Sequence, residues 1–389
     1  MRKRIYCLFC FLSGLFLISC APSFDTVIVN GVIIDGTGTQ GYQADIGIRN
    51  GAIAAIGKLQ ESKGRKVINA KGKYITPGFI DIHTHSDRGV IKTSQNKALN
   101  YLTQGVTTLV GGNCGNGTYD VADYFQTLEK QGVGTNIVHL VGHATVRREV
   151  MQDADRDPTE EEMKKMKSLV ERAMREGAAG LSTGLFYAPG SFAETEEIIE
   201  LCSVVREYGG FYASHIRDES DYTVGLKAAI KEAVEIGEKS GIPVQIAHIK
   251  TLGKPVWGQA GEVCQIIEDA QTRGVTVYAD QYPYRASSTG LISAIVPRWV
   301  QADGKLRERL ADPELLPKIT AEIAENIQRR GGAETLIISS FSEKPDWEGK
   351  SLKEISDILD KSAADSAISL ALMGDPGIVS FNMTEKDVE

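Results

Sequence analysis

Six histidines occur in the 389 residues, and His83, His85, His215 and His248 all follow apolar runs. His83 and His85 close the run Thr76-Pro77-Gly78-Phe79-Ile80-Asp81-Ile82-His83-Thr84-His85. In an extended strand, residues i and i+2 project to the same face, so the two rings are expected side by side at one strand end. Cys114, His215 and His248 each sit at or near the end of a further apolar run. Neutral imidazole and thiolate, with one coordination position left open, are what a water-activating metal needs. A lone histidine at a strand end is more often a hydrogen-bonded structural residue. Five ligand-type side chains at successive strand ends point instead to convergence on one site. The thiolate of Cys114 favours zinc over calcium or magnesium. The glycines of Gly111-Gly112-Asn113-Cys114-Gly115-Asn116-Gly117 permit a sharp turn or a close backbone approach beside it. His139 and His143 lie four apart on one strand; His139 reads as structural, and His143, at the strand end, as a support behind the ligands.

The elements that must position these residues follow from the rhythm of the chain. Strand-like runs at Ile75–His85, Val106–Asn113, Asn136–His143, Ala179–Tyr187, Gly210–Arg217, Pro243–Lys250 and Val275–Tyr284 alternate with helical stretches such as Thr159–Arg175 and Leu226–Gly237. Strand-helix alternation predicts a parallel sheet. Polar residues at the C-terminal ends of several strands favour a (β/α)₈ barrel, the TIM barrel, over a doubly wound sheet with one switch point. Before it, residues 24–74 read as short strands and turns, with Asn50-Gly51 marking a hairpin, and are assigned to a small β-sandwich-type domain. The barrel is assigned residues 75–284, an inserted subdomain or lid 285–335, and a continuation of the barrel 336–389.

Hydrophobic residues at 42% and charged residues at 24% describe an ordinary globular protein. The net charge is −8 with no concentrated basic run, which argues against a nucleic-acid partner. Arg2, Lys3 and Arg4 precede the apolar stretch Ile5–Ile18, a signal-peptide pattern too short for a comfortable membrane span. Leu17-Ile18-Ser19-Cys20 resembles the lipobox of bacterial lipoproteins, so residues 1–20 are expected to be a signal peptide and lipobox. Cys20 is then lipidated, and the protein is a membrane-anchored lipoprotein facing the periplasm. Cys7 and Cys10 would leave with the signal. Cys202 and Cys264, both in helical patterns, are expected to be buried core thiols.

The motifs taken together resemble a known family. The His-x-His run resembles the first barrel strand of the amidohydrolase superfamily. Asn113-Cys114-Gly115, Gly180-Leu181-Ser182-Thr183-Gly184-Leu185-Phe186-Tyr187-Ala188-Pro189-Gly190, Ser214-His215-Ile216-Arg217-Asp218-Glu219, Ala247-His248-Ile249-Lys250 and Tyr282-Pro283-Tyr284 look like the D-aminoacylase (N-acyl-D-amino-acid deacylase) family. That resemblance implies a tight zinc site at Cys114, His215 and His248 and a second, weaker metal position at His83 and His85. It implies that Lys250 meets the substrate carboxylate and that Tyr187, Tyr282 and Ser288 line the pocket. Arg217 is a second candidate cation for substrate; its alternative is an ion pair with Asp218 or Glu219. Hydantoinases and dihydroorotases of the same superfamily bridge two metals with a strand-four lysine, and no lysine lies between Lys167 and Lys227.

The implied activity is zinc-dependent hydrolysis of the amide bond of a small-molecule N-acyl-D-amino acid. The alternatives are a dipeptidase or cyclic amidase on the same scaffold, or a catalytically incomplete fragment or metal-binding surface lipoprotein. The family carries a catalytic aspartate in a Ser-Asp-Gly context on the eighth barrel strand, followed by His-Pro-Arg. Neither occurs in these residues. The expectation is therefore a barrel lacking its last strand, with no assigned proton-transferring residue; Asp81 and Asp280 are the barrel-strand acids near C-terminal ends. The lipobox yields a direct expectation: fatty-acid labelling marks the wild type and not Cys20→Ala. Label retained in the variant removes the lipid anchor.

Overall fold

The computed structural model describes residues 23–389 and divides them into two compact units, one ending at Gly78 and one spanning Phe79–Glu389. The signal and lipobox assignments, with Cys20, fall outside the described residues.

The first unit holds β1 (Phe24–Val29), β2 (Val32–Ile33), β3 (Tyr42–Gln43), β4 (Asp45–Arg49), β5 (Ala52–Gly57), β6 (Gly64–Asn69) and β7 (Tyr74–Ile75). They form two sheets, ordered β5-β4-β1-β6 and β3-β2-β7. Asn50 and Gly51 both take positive φ, 53° and 75°, between β4 and β5. This is the two-residue turn whose twist suits antiparallel strands. Asn30, with φ 64°, separates β1 from β2.

The second unit is built on β8 (Phe79–Asp81), β9 (Val106–Gly111), β10 (Asn136–Gly142), β11 (Gly180–Gly184), β12 (Phe211–His215), β13 (Val244–Ile246) and β14 (Val277–Ala279). All neighbouring pairs are parallel and the spatial order is the chain order. This is the sheet that the strand-helix rhythm predicts, with β8 and β14 at its edges among the described residues. The helices that return the chain are amphipathic for visible reasons. Glu160–Arg175 starts at a capping box between Thr159 and Glu162 and buries Met166, Val170, Ala173 and Met174 at helical spacing. Each such aliphatic side chain, fully buried, stabilises by ~1.5–3 kcal/mol. Thr195–Glu207 likewise buries Ile198, Leu201, Cys202 and Val205. The expected core role therefore holds for Cys202. Cys264 is exposed, because Ala260–Thr272 turns Val263, Ile267 and Ala270 inward and Cys264 falls one position off that stripe.

Residues 336–389 do not continue the barrel. β15 (Ala286–Gly290), β16 (Leu336–Ser340) and β17 (Gly377–Phe381) form a separate antiparallel sheet in the order β15-β17-β16. Helices such as Leu316–Arg329 and Ala363–Met373 pack on it around a distinct core that includes Leu291, Ile319, Ile323, Leu336, Leu352 and Ile378. The expected boundary at 335 disappears because β17 returns to pair with β15, making the excursion from 286 to 381 one helical layer.

His143 is not a support behind the metal ligands. It opens the helix His143–Met151, and its Nε2 lies 2.7 Å from Glu197 Oε1. Arg147, fully buried on the same helix, donates to the other oxygen of Glu197. Burial alone would raise the Glu197 pKa, but His143 and Arg147 hold it below its ordinary value of 4.5. Because the folded pKa is depressed, its stabilising contribution is present above about 4.5 and lost as pH falls. Glu197→Ala leaves Arg147 buried without a counter-charge and should destabilise this unit by ~3–5 kcal/mol. Urea denaturation at pH 7 reads that loss, and the difference from wild type should shrink in acid. Equal midpoints at pH 7 would show that water already serves Arg147.

Candidate metal centre

The candidate ligands hang on the C-terminal ends of neighbouring strands. β8 ends at Asp81, so His83 and His85 lie just beyond the strand and not within it. They still reach the same side. Thr84 between them is buried, and both its amide and its hydroxyl donate to Val110 O at 3.0 Å. This anchors the segment to the end of β9 and leaves the two imidazoles 5.5 Å apart between ring centroids. Cys114 follows β9 with φ 54°. Asn113 braces that turn by donating to Val110 O at 3.0 Å and Thr84 O at 3.3 Å. Gly112, with φ 80°, is required: a Cβ there would lie 2.0 Å from Leu140 O. His215 ends β12, and His248 follows β13 with φ 35°.

These residues converge. Cys114 Sγ lies 3.5 Å from His215 Nδ1, 3.6 Å from His83 Nε2 and 3.8 Å from His248 Nε2. Two overlapping ligand groups result, Cys114-His215-His248 and His83-His85-Cys114, with Cys114 shared. About 2.3 Å for Zn–S and about 2.0–2.1 Å for Zn–N, at a tetrahedral angle, put sulfur and nitrogen roughly 3.5 Å apart. The observed separations, 3.5 Å to His215, 3.6 Å to His83 and 3.8 Å to His248, leave room for an ion among these donors. The protonation chemistry also fits. Burial, with neighbouring cationic groups, lowers His83 to about 3 and His215 well below 6.5. Both rings therefore stay neutral, the form that ligates. Burial pushes the Cys114 thiol up to about 12, so a cation among these nitrogens is what would make the thiolate its stable form.

Behind the ligands stands a carboxylate that sequence reasoning passed over as an acid of the site. Glu219, 5% exposed, places Oε1 2.5 Å from Lys250 Nζ, 3.4 Å from His248 Nδ1 and 3.5 Å from His215 Nε2. Burial would raise its pKa, but Lys250, His215 and His248 hold it well below 4.5. Lys250 Nζ also lies 2.8 Å from His248 Nδ1. A metal on His248 Nε2 leaves the ring proton on Nδ1, which then needs Glu219 as acceptor and can no longer accept from Lys250. The signal in the sequence was a carboxylate four residues past a candidate ligand, inside the Ser214–Glu219 motif.

The ligand cluster opens into a cavity of about 1220 Å³. Tyr187, Tyr282, Ser288 and Lys250 line it, together with Asp81, Glu219, Asp280, Arg330 and Asp375. The Tyr187 ring lies 4.6 Å from that of His215, and Lys250 Nζ lies 5.5 Å from the centre of the Tyr282 ring. Asp280 accepts from His248 N at 2.7 Å and from Gln245 Nε2 at 2.9 Å, so both oxygens position β13. Arg217 is not brought to the cavity. It forms an ion pair with Glu232 at 2.7 Å and donates to the carbonyls of Ser191 and Ala193. Neither expected partner is used, because Glu219 faces the histidines while Asp218 accepts from the amides of Ser220, Thr223 and Gly225. Arg330 and Asp375 come from the helical layer, far along the chain, and no local pattern marked them.

The amidohydrolase family profile matches residues 66–298, and a profile of the urease alpha-subunit N-terminal domain matches residues 18–71. The chain belongs to the amidohydrolase family. Within this family it is 40% identical over 296 residues to a D-aminoacylase of Alcaligenes xylosoxydans xylosoxydans, covering 70% of this chain and 60% of that protein. The chain thus spans about 60% of the length of that curated relative. It superposes on a D-aminoacylase crystal structure with a TM-score of 0.77 and 33% identity, covering 94% of this chain and 73% of the other. An N-acyl-D-glutamate deacylase from Bordetella Bronchiseptica, solved with zinc and a phosphonate mimic of the tetrahedral intermediate, gives the same TM-score at 31% identity, with the same coverage of both chains.

For this amidohydrolase, zinc loading followed by elemental analysis should find Cys114→Ala without the tight ion that wild type retains. Glu219→Gln should keep the ligands but weaken the ion by about 10- to 100-fold, the usual effect of disturbing a group behind a ligating histidine. Equal zinc in wild type and Cys114→Ala would remove the thiolate from the ligand set.

Proposed function

We propose that this protein hydrolyses the amide bond of N-acyl-D-amino acids with zinc bound at Cys114, His215 and His248. One observation carries the reading: sulfur and nitrogen donors 3.5–3.8 Å apart at the open end of a cavity. The likeness to a D-aminoacylase and to an N-acyl-D-glutamate deacylase supports the substrate class. His83 and His85, sharing Cys114, supply the weaker second position.

When bound, the metal supplies Lewis acidity, which polarises a carbonyl and lowers the pKa of water to about 7. The chain's own residues do the rest. Glu219 lies 3.5 Å and 3.4 Å from the second ring nitrogens of His215 and His248, placed to accept from them once the opposite nitrogens hold the ion. Asp280 pins the His248 backbone. Tyr187 and Phe186 set aromatic faces against His215, which excludes water from that side. Lys250 offers charge to the substrate α-carboxylate beside Tyr282, holding the amide over the ligands.

The test has two readouts on zinc-loaded protein. N-acyl-D-amino acids should release free D-amino acid in preference to the L series. A phosphonate analogue of the D substrate should also bind more tightly than its enantiomer. Lys250→Met should weaken D-substrate affinity by about 10- to 100-fold, the effect of losing one charged hydrogen bond, at unchanged zinc content. No D preference in either readout would set the reading aside. Zinc lost from Lys250→Met with affinity kept would assign Lys250 to the metal support.

A further inference from the structure

Arg330 is the most deeply buried cation in the cavity wall, with 1% exposure. It caps the helix Leu316–Arg329 of the helical layer. Its Nε donates to Tyr222 OH at 2.7 Å and to Ala294 O at 3.2 Å, which fixes the stem of the guanidinium. Nη1 is buried with no hydrogen-bond partner, and among the described residues no carboxylate lies within ion-pair distance of Arg330. Its neighbour Arg329 shows the contrast, pairing with Asp221 at 2.5 Å and Glu325 at 3.1 Å. Asp375 lines the same cavity but accepts from Ile292 N at 2.9 Å and does not reach Arg330.

A buried charge without a counter-charge is costly, and proteins retain one where a ligand completes it. Lys250 has Glu219 beside it at 2.5 Å. Arg330, by contrast, has no ion-pair partner among the described residues. A guanidinium held by Nε with Nη1 unpartnered keeps a donor in reserve, and a carboxylate is the acceptor that would also balance its charge.

We infer that Arg330 receives a carboxylate of the substrate, so that recognition is shared between the barrel and the helical layer. The choice of ligand rests on the proposed amide hydrolysis; the presence of an anion subsite does not. The carboxylate is either the α-carboxylate, present in every N-acyl amino acid, or the distal one of an acidic side chain.

The experiment titrates zinc-loaded wild type, Arg330→Met and Arg330→Lys by calorimetry with four probes: N-acetyl-D-leucine, N-acetyl-D-leucinamide, N-acetyl-D-glutamine and N-acetyl-D-glutamate. An α-carboxylate role predicts that Arg330→Met loses about 10- to 100-fold affinity for the three acids and not for the leucinamide. A distal role predicts that loss for the glutamate alone. Arg330→Lys should recover part of the loss in either case. Equal weakening of all four probes, leucinamide included, marks a structural residue and overturns the inference, as does unchanged binding of every acid. Phosphonate analogues of the four probes, which are not hydrolysed, give the same comparison without turnover, so failure to detect deacylation would leave this result standing and count only against the proposed reaction.

Discussion

Glu219 can be buried as an anion only because Lys250 Nζ lies 2.5 Å away and two histidine rings lie within 3.5 Å of the same oxygen. Remove the carboxylate and three groups lose their common neighbour: an ammonium with 6% exposure and the rear nitrogens of two candidate ligand rings. Each ring would then be free to present either nitrogen to the site, and the geometry around Cys114 would lose its definition. The loop that carries Glu219 is correspondingly stiff. Asp218, fully buried, gathers three backbone amides, and Leu252 N donates to Glu219 O at 3.0 Å, tying β12 to the segment after β13.

The ligands themselves sit where the backbone is least comfortable. Cys114 and His248 are two of the few non-glycine residues at positive φ, a conformation that costs of order 1–3 kcal/mol at each position. Both occur immediately after a barrel strand, where the chain must leave the sheet and present a side chain over its end. The surrounding contacts hold them there. Asn113 braces one turn through two carbonyls, and Asp280 accepts from the amide of His248. The parallel register completes the arrangement. Gly184 pairs with His215 and Ser214 with Ile246, so adjacent strands end at the same level and their following residues meet over one mouth.

This explains which features were legible in the sequence. A parallel strand buried on both faces reads as an apolar run, and its C-terminal end is where the run stops. Cys114, His215 and His248 could therefore be marked as candidates from pattern alone, and the seven strands of this sheet lie within the stretches the pattern marked. His83 and His85 were expected within a strand; they lie past β8 and are oriented by Thr84. The errors share a cause. Arg217, His143 and Cys264 were judged from spacing within one segment, whereas their surroundings are set by other elements or by the face of their own: Glu232 on a following helix, Glu197 on the helix Thr195–Glu207, and the inward stripe of Ala260–Thr272. The β15-β17-β16 sheet was unreadable for the same reason, because antiparallel partners some ninety residues apart leave no local mark.

The helical layer and the barrel contribute differently to the cavity. The barrel supplies every ligand-type side chain of the cluster, fixed by strand ends that a shared hydrogen-bond ladder holds in register. The layer supplies Ser288, Arg330 and Asp375 from its own sheet, helices and connections, around a hydrophobic core separate from the barrel's. A change within that second core can move or replace its cavity residues without disturbing the ladder that aligns Cys114 with His215 and His248. The two sides of the cavity thus rest on physically separable supports. On such a scaffold the strand-end cluster can stay constant while the cavity residues of the added segments vary, as for other barrels whose strand ends carry the reaction and whose added segments set its scope.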